Sequence, residues 1–311
     1  MQHKRAWQLA IAVALLGLIL VRLPAALADV VNYSAQSDSS APLLTPVLGV
    51  SPRAWLPVAR GAPSPTQTPV PVCQPIPGAS YSSTQSSGYP PGDPPAELHP
   101  DLNLSMRGWE VNGSAFRGLV DYSGDTDSKA PRLVDLFANR RAPVFSTVYR
   151  VYDWNWASNT RGSLISEYPV TLAGLAATPG ETVHVPASGY TLGQGVEVLV
   201  LYADEDSITL KYTREDNVIH GYTLHLEGLC VEPSLMARYQ ANNAAGRSVL
   251  PGLVERQELG RARGTEIQVA IRDRGSFMDP RSRKDWWQDI SASALSAEQR
   301  LDVEHNVQGG Q

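Results

Sequence analysis

The sequence predicts a mainly β protein: a single antiparallel domain of the β-sandwich or β-roll type with a few short peripheral helices. From about residue 102 onward, short runs of β-branched and aromatic residues alternate with Gly, Asp, Asn and Pro, a spacing typical of all-β domains. Helical periodicity is confined to brief segments, and the preceding residues have the composition of a leader and a spacer. The globular domain is therefore expected at residues 102–288.

The first 28 residues have the features of an export signal. Lys4-Arg5 precede an apolar run from Ala6 to Val21, and the small residues Ala26 and Ala28 offer a cleavage point. The run is close to the minimum for a membrane span, roughly 18–20 residues, and Gln8 interrupts it. Cleavage as a signal peptide and retention as an N-terminal membrane anchor both remain open. In either case the rest of the chain is expected to be secreted or extracytoplasmic.

Residues 29–101 are rich in proline and serine. Dense proline runs occur at Pro63–Pro71 and Tyr89–Pro95. Proline removes backbone donors and restricts φ, so helices and internal strands are disfavoured. The segment is expected to be a disordered linker that extends as a stalk.

Residues typical of β-strands recur between residues 143 and 272. Apolar, β-branched or alternating runs predict strands at Pro143–Tyr152, Val196–Tyr202, Ser207–Tyr212, Tyr222–Leu226 and Glu266–Arg272. The acidic segment Asp204-Glu-Asp206 predicts a turn, which would join the second and third of these strands as a hairpin.

Helical patterns are short. Lys129–Asn139 carries apolar residues on one predicted face, and Pro233–Asn243 places a proline in its first turn. A third segment, Ser291–Glu304, lies in a polar tail that spans residues 289–311.

Charge and cysteine content indicate which partners are excluded and whether a disulfide can form. The net charge of -5 and a pI near 5.7, with scattered basic residues, argue against a nucleic-acid partner. Cys73 and Cys230 could form a disulfide in an oxidising compartment, with two free thiols as the alternative.

The last predicted strand carries the most informative pattern. Gly264-Thr-Glu-Ile-Gln-Val-Ala-Ile-Arg272, followed by the turn Arg274-Gly275 and the pair Asp279-Pro280, resembles the final core strand of lysostaphin-like (LytM) zinc peptidases. That family has Gly-Pro-His-Leu-His-Phe-Glu-Val-Arg in this strand. Arg117-Gly-Leu-Val-Asp-Tyr122 resembles the segment that supplies its first zinc ligands, and Tyr222-Thr-Leu-His-Leu226 resembles its Tyr-Ala-His-Leu segment. The similarity spans about Arg117 to Pro280, with apparent insertions at Trp154–Tyr190 and Pro233–Pro251.

The resemblance implies a duplicated hybrid motif fold in which the zinc site is altered. His225 and Glu266 occupy the family's catalytic histidine positions, and Asp121 matches a metal ligand. Arg117 and Gln268 stand where the family has ligand histidines. A guanidinium cannot coordinate zinc, and an amide is a poor zinc ligand. The resemblance therefore implies a peptidase homologue without a cofactor.

Three functions follow from these expectations. The first is a non-catalytic module that binds peptidoglycan or a protein of the bacterial cell envelope. The second is an active zinc endopeptidase that cuts peptidoglycan through Asp121, His225 and a substitute ligand. The third is an envelope β-domain unrelated to peptidases.

Possible binding aromatics are Trp154, Trp156, Trp286 and Trp287, with core packing as the alternative role.

Overall fold

The structure, a computed structural model, describes residues 73–88 and 95–290. The predicted signal or anchor at residues 1–28, most of the predicted linker and the predicted tail helix Ser291–Glu304 lie outside the described residues. Within the described part of the chain, no helix is long and apolar enough to span a bilayer.

The described residues form a mainly antiparallel β domain with few short helices, which confirms the predicted fold class. The strands are β1 (Ser82–Gln85), β2 (Trp109–Val111), β3 (Phe145–Asn155), β4 (Thr160–Leu164), β5 (Leu172–Ala176), β6 (Thr182–His184), β7 (Val198–Ala203), β8 (Ser207–Lys211), β9 (Tyr222–Glu227), β10 (Leu229–Val231), β11 (Val249–Leu253), β12 (Glu258–Ala262), β13 (Glu266–Asp273) and β14 (Ser276–Met278). The helices are α1 (Leu104–Arg107), α2 (Pro233–Ala244) and α3 (Arg283–Trp286), and single 3-10 turns occur at Ala96–Leu98 and Leu133–Leu136.

The strands form one large and one small sheet. The large sheet has the order β1-β11-β7-β8-β9-β13-β5-β3-β2, with β14 on β13 and β4 on β3, and the small sheet has the order β10-β12-β6. The chain passes from β9 in the large sheet to β10 in the small sheet through Gly228, whose φ of 77° favours glycine. Buried apolar residues of both sheets, including Val200, Leu224 and Leu259, belong to one hydrophobic core.

The five predicted strands are all present with small changes in their ends. β7 and β8 form the predicted antiparallel hairpin. Asp204 closes its turn because its carboxylate accepts hydrogen bonds from the backbone N–H groups of Asp206 and Ser207, at 2.8 and 2.7 Å.

Helix α2 confirms the second helical prediction. Pro233 occupies its first turn, and the Glu232 side chain caps it by accepting from the Ser234 backbone N–H. Leu235 and Tyr239 form its buried face.

The predicted helix at Lys129–Asn139 is wrong, because only the 3-10 turn Leu133–Leu136 forms there. The flanking backbone groups bond to other segments: Arg132 N–H donates to the Ala187 carbonyl, and Phe137 bridges to Val183 of β6. The turn residues Leu133, Val134 and Leu136 are all buried, whereas a surface helix would bury only one face.

The domain begins earlier than predicted. β1, within the predicted disordered linker, pairs with β11, and Cys73 is joined to Cys230 by a disulfide with a Cα–Cα distance of 5.2 Å. The start of the predicted tail also contributes, since Asp289 forms an ion pair with Arg140 at 2.9 Å. The segment Trp154–Tyr190, an apparent insertion in the LytM-like pattern, contains strand β5, which lies between β13 and β3 in the large sheet.

Candidate functional site

One face of the large sheet carries a continuous set of polar side chains. Residues directly opposite each other on antiparallel strands lie on the same face. The register places on this face Gln268, Ala270 and Arg272 of β13, Glu227, His225 and Thr223 of β9, and Ser207, Thr209 and Lys211 of β8. Three positions of the LytM-like pattern, His225, Glu266 and Gln268, therefore share one face, which we call the polar face.

Glu266 is held by neighbouring side chains at the edge of the polar face. Its carboxylate accepts hydrogen bonds from the Tyr149 hydroxyl at 2.6 Å, from the Gln268 amide at 3.0 Å and from the Ser146 hydroxyl. Gly174 of β5 makes this arrangement possible, since a Cβ at that position would lie 2.3 Å from the Glu266 carboxyl carbon. Glu266 therefore reaches across β5 to β3 and is fixed by three donors.

Arg117 and Asp121, the two upstream positions of the LytM-like pattern, lie in different surroundings. Arg117 donates to the Ser146 backbone carbonyl at 3.2 Å, next to the Glu266 cluster. Asp121 instead forms an ion pair with Arg283 of α3 at 2.8 Å and accepts from the Lys284 backbone N–H. The structure therefore brings Arg117 and Glu266 to Ser146, with Gln268 bonded to Glu266, and pairs Asp121 with α3.

His225 is enclosed within the domain. Its Nδ1 lies 2.9 Å from the Thr209 hydroxyl, and its ring stacks on Phe277 with centroids 6.2 Å apart. Its Nε2 is buried without a hydrogen-bond partner among the described residues. Burial, with Arg272 nearby, holds the pKa of His225 well below its usual range. A neutral, fully enclosed imidazole cannot reach a substrate in this conformation.

A charged layer covers the polar face above His225. Asp101 bonds both Arg107 of α1 and Arg272 of β13 at 2.8 Å. Both guanidinium groups also lie over the Phe277 ring, at 5.5 and 4.6 Å from its centroid. Burial alone would raise the pKa of Asp101, but the two arginines lower it to about 2. Residues from the predicted linker and from α1 thus close this part of the sheet.

The residues at the LytM-like positions do not fit a zinc ion. A catalytic zinc site needs three converging ligands and one open position. Here Asp121 is paired with Arg283, the Gln268 amide donates to Glu266, and His225 is enclosed. In the described residues, no group of three or more His, Cys, Asp or Glu side chains is arranged to hold a metal ion.

The four tryptophans named as possible binding aromatics do not form one surface. Trp154, Trp286 and Trp287 are buried, and the last two donate their indole N–H groups to the backbone carbonyls of Asp279 and Pro280 at 2.8 Å. Trp156 is 53% exposed and lies against His99. Core packing therefore accounts for Trp154 and Trp287, whereas the buried Trp286 also lines the groove described next.

An open groove lies near the ends of β9 and β13, beside α3. Its volume is about 460 Å³, and it is lined by aromatic side chains of Tyr122, Tyr168, Tyr222 and Trp286 and by carboxylates of Asp125, Asp127, Asp273, Asp279 and Asp285. A hollow of about 230 Å³ shares Asp127, Tyr222, Asp273 and Arg274 with it. We call the two together the tyrosine groove. Concave sites with aromatic walls and a few polar groups are typical of ligand binding.

Asp127 links two tyrosines that line the tyrosine groove. The Asp127 carboxylate accepts from the hydroxyls of Tyr190 and Tyr222, at 2.7 and 3.0 Å. Slight burial acts to raise the pKa of Asp127, but these bonds and the Lys129 backbone N–H lower it below its usual range. Burial and the bond to Asp127 raise the pKa of Tyr222 above its usual range. Asp127 therefore remains charged and Tyr222 neutral near neutral pH.

Sequence reasoning did not identify this groove. Its residues come from the segment after Tyr122, from β9, from the β13–β14 turn and from α3, and no motif joins these segments. Asp125 and Asp127, which follow the Val-Asp-Tyr match, and Trp286, one of the possible binding aromatics, were the available signals.

Comparisons with protein-family models, with curated proteins and with solved structures found no match.

Proposed function

We propose that the chain is an exported, non-catalytic module that binds peptidoglycan, built on a frame like that of the LytM zinc peptidases. A protein of the bacterial cell envelope is the second candidate partner. The leader-like N-terminus and the proline-rich spacer support an extracytoplasmic location, either secreted or anchored by the N-terminal segment.

The observation that carries the proposal is that the residues at the LytM-like positions bond to one another and to neighbouring side chains. The Gln268 amide donates to Glu266, Glu266 also accepts from Tyr149 of β3, and Asp121 forms an ion pair with Arg283. A working metallopeptidase would direct these positions toward a shared ion and a water molecule. The tyrosine groove meanwhile offers an open cleft of about 460 Å³ for a ligand. Binding without hydrolysis is the function that best fits this combination.

Sedimentation with purified sacculi tests the proposal. The full chain, with and without added zinc, is incubated with sacculi or with cellulose, and the pellets and the soluble peptides are analysed. We expect the chain to pellet with sacculi but not with cellulose, and to release no soluble peptides.

Two results would overturn it. Release of peptides that Asp121→Ala abolishes would establish the zinc endopeptidase instead. Failure to pellet with sacculi would exclude peptidoglycan as the ligand and favour an envelope protein or an unrelated β-domain.

A further inference from the structure

We propose that the tyrosine groove recognises a protonated primary amine carried on a peptide. This deepens the proposed function and rests on it for the source of the amine, because uncrosslinked peptide stems of peptidoglycan carry the free amino group of a diamino acid. The shape, the aromatic walls and the charge of the groove favour such a ligand.

The groove has room for a side chain and the adjoining backbone. Its main part, at about 460 Å³, lies within the range of roughly 300–1,000 Å³ that is common for small-molecule sites. The adjoining hollow of about 230 Å³ continues past Tyr222 toward Tyr190. An elongated cleft of this kind suits an extended aliphatic chain that ends in a charged group.

Its walls present aromatic rings in edge-to-face pairs. Tyr122 and Tyr168 have centroids 5.2 Å apart at an interplanar angle of 78°, and Tyr222 and Trp286 have centroids 5.7 Å apart at 84°. Tyr122, Tyr168 and Tyr222 are only partly buried, so parts of their rings remain accessible. Aromatic faces attract ammonium groups through the ring quadrupole and also cover aliphatic chains.

The charge of the groove favours a cation. Of the five lining aspartates, Asp279 is neutralised by Arg281 at 2.6 Å and Asp285 by Lys284 at 2.7 Å. Asp125, Asp127 and Asp273 remain, and Arg274 is the opposing cation on the lining. Three carboxylates outnumber this guanidinium and the Lys129 ammonium, which lies 5.8 Å from the centroid of the Tyr190 ring in the adjoining hollow, so the groove keeps a net negative charge.

Two of these carboxylates have no side-chain bonds to satisfy them. Asp125 and Asp273 accept no side-chain hydrogen bond and form no ion pair with any residue that the structure describes. Asp127, by contrast, is held by two tyrosines, and Lys284 is held by Asp285 and the Asp125 carbonyl. Asp125 and Asp273 are therefore the groups available to an incoming ammonium.

Binding of a defined probe tests the groove directly. The full chain is titrated with the blocked tripeptide acetyl-Ala-Lys-Ala-amide, and with the same peptide carrying Nε-acetyl-lysine. We expect saturable binding of the first peptide that weakens with salt, and at least tenfold weaker binding of the acetylated peptide. Equal binding of both peptides, or binding of neither, would overturn the proposal.

Matched double variants locate the site. Asp125→Asn with Asp273→Asn should weaken lysine-peptide binding about tenfold, as expected for two partly exposed carboxylates. Glu205→Gln with Glu255→Gln removes the same charge from exposed positions outside the groove and should leave affinity unchanged. Equal loss in both double variants would indicate a general charge effect and contradict the assignment. Urea unfolding of each variant establishes that it is folded.

Chemically acetylated sacculi separate this inference from the proposed function. Retention on native sacculi that is lost after acetylation of their free amines supports both. Retention that survives acetylation overturns the amine proposal and leaves peptidoglycan binding intact. Binding of the lysine peptide without retention on native sacculi keeps the amine site and overturns peptidoglycan as its source.

Discussion

At the scale of single residues, the polar face illustrates what a sequence pattern can and cannot reveal. The LytM-like alignment identified His225, Glu266 and Gln268, and the strand register places all three on that face. The alignment could not indicate that His225 is enclosed, because Asp101 and Arg107 lie in or beside the segment whose composition indicated a linker. It also gave no sign of Gly174, whose missing side chain makes room for Glu266.

Glu227, opposite Gln268 on the polar face, allows a test of burial through pH. Burial, with smaller contributions from Asp204 and Asp206, raises its pKa from 4.5 to about 8. Between these values the folded protein keeps a proton that the unfolded chain releases, so this residue's contribution to stability falls as pH rises.

Between pH 6.5 and 8, Glu227 should lower the free energy of unfolding of the wild-type protein by about 2 kcal/mol, at roughly 1.4 kcal/mol per pH unit. We expect Glu227→Gln to abolish this part of the decline. This interval largely avoids His225, whose lowered pKa reduces stability below the ordinary imidazole pKa of 6.5. The measurement is urea unfolding across this range. The exposed Glu205→Gln should retain the wild-type slope. A Glu227→Gln protein with the wild-type slope would show that Glu227 is not the titrating group.

At the scale of elements, β-branched composition explains which strands were predicted. β7, with Val-Leu-Val-Leu-Tyr-Ala, was identified, whereas β5, with Leu-Ala-Gly-Leu-Ala, was placed in an insertion. Alanine and glycine are depleted in strands, so β5 gave little local signal. Its position between β13 and β3 is set by tertiary packing, and small residues there allow side chains of β13 to reach β3.

A methyl group at Gly174 tests this cross-strand arrangement. We expect Gly174→Ala to lower the free energy of unfolding by about 1–3 kcal/mol, because the new Cβ would displace the Glu266 carboxyl group. Gly264→Ala is the matched control, since its Cβ would meet no atom within 4 Å. Chemical denaturation measures both.

A double-mutant cycle sharpens this test. In a Glu266→Ala background, the cost of Gly174→Ala should be smaller, because the colliding carboxyl group is gone. An equal cost in both backgrounds would mean that the space above Gly174 is not reserved for Glu266.

At the scale of the whole molecule, residues 73–88 form a strap that bonds to residues distant in the sequence. Cys73 is bonded to Cys230, the Ile76 N–H donates to Glu232 at 2.8 Å, and the Tyr81 hydroxyl donates to the Glu258 carbonyl at 2.9 Å. The strand within this strap, β1, contains no apolar residue and lies at the sheet edge. Its composition therefore predicts part of the linker. Its pairing with β11 shows that it belongs to the domain.

The disulfide provides a measurable contribution to overall stability. Its cysteines are 157 residues apart, and a bridge across so long a loop is expected to contribute about 2–5 kcal/mol. Reduction should lower the free energy of unfolding by this amount, and Cys73→Ser with Cys230→Ser should match the reduced protein. The double variant should not respond to reductant. Two reactive thiols in the native, unreduced protein would refute the bridge.

The zinc content of the full chain tests the central claim most directly. The protein is exposed to excess zinc, dialysed and analysed by elemental mass spectrometry, with Asp121→Ala treated in parallel. Because Asp121, Gln268 and His225 are bonded or enclosed in ways that prevent convergence, we predict far less than one zinc ion per chain in both proteins. A content near one ion per wild-type chain that falls in Asp121→Ala would contradict the non-catalytic assignment.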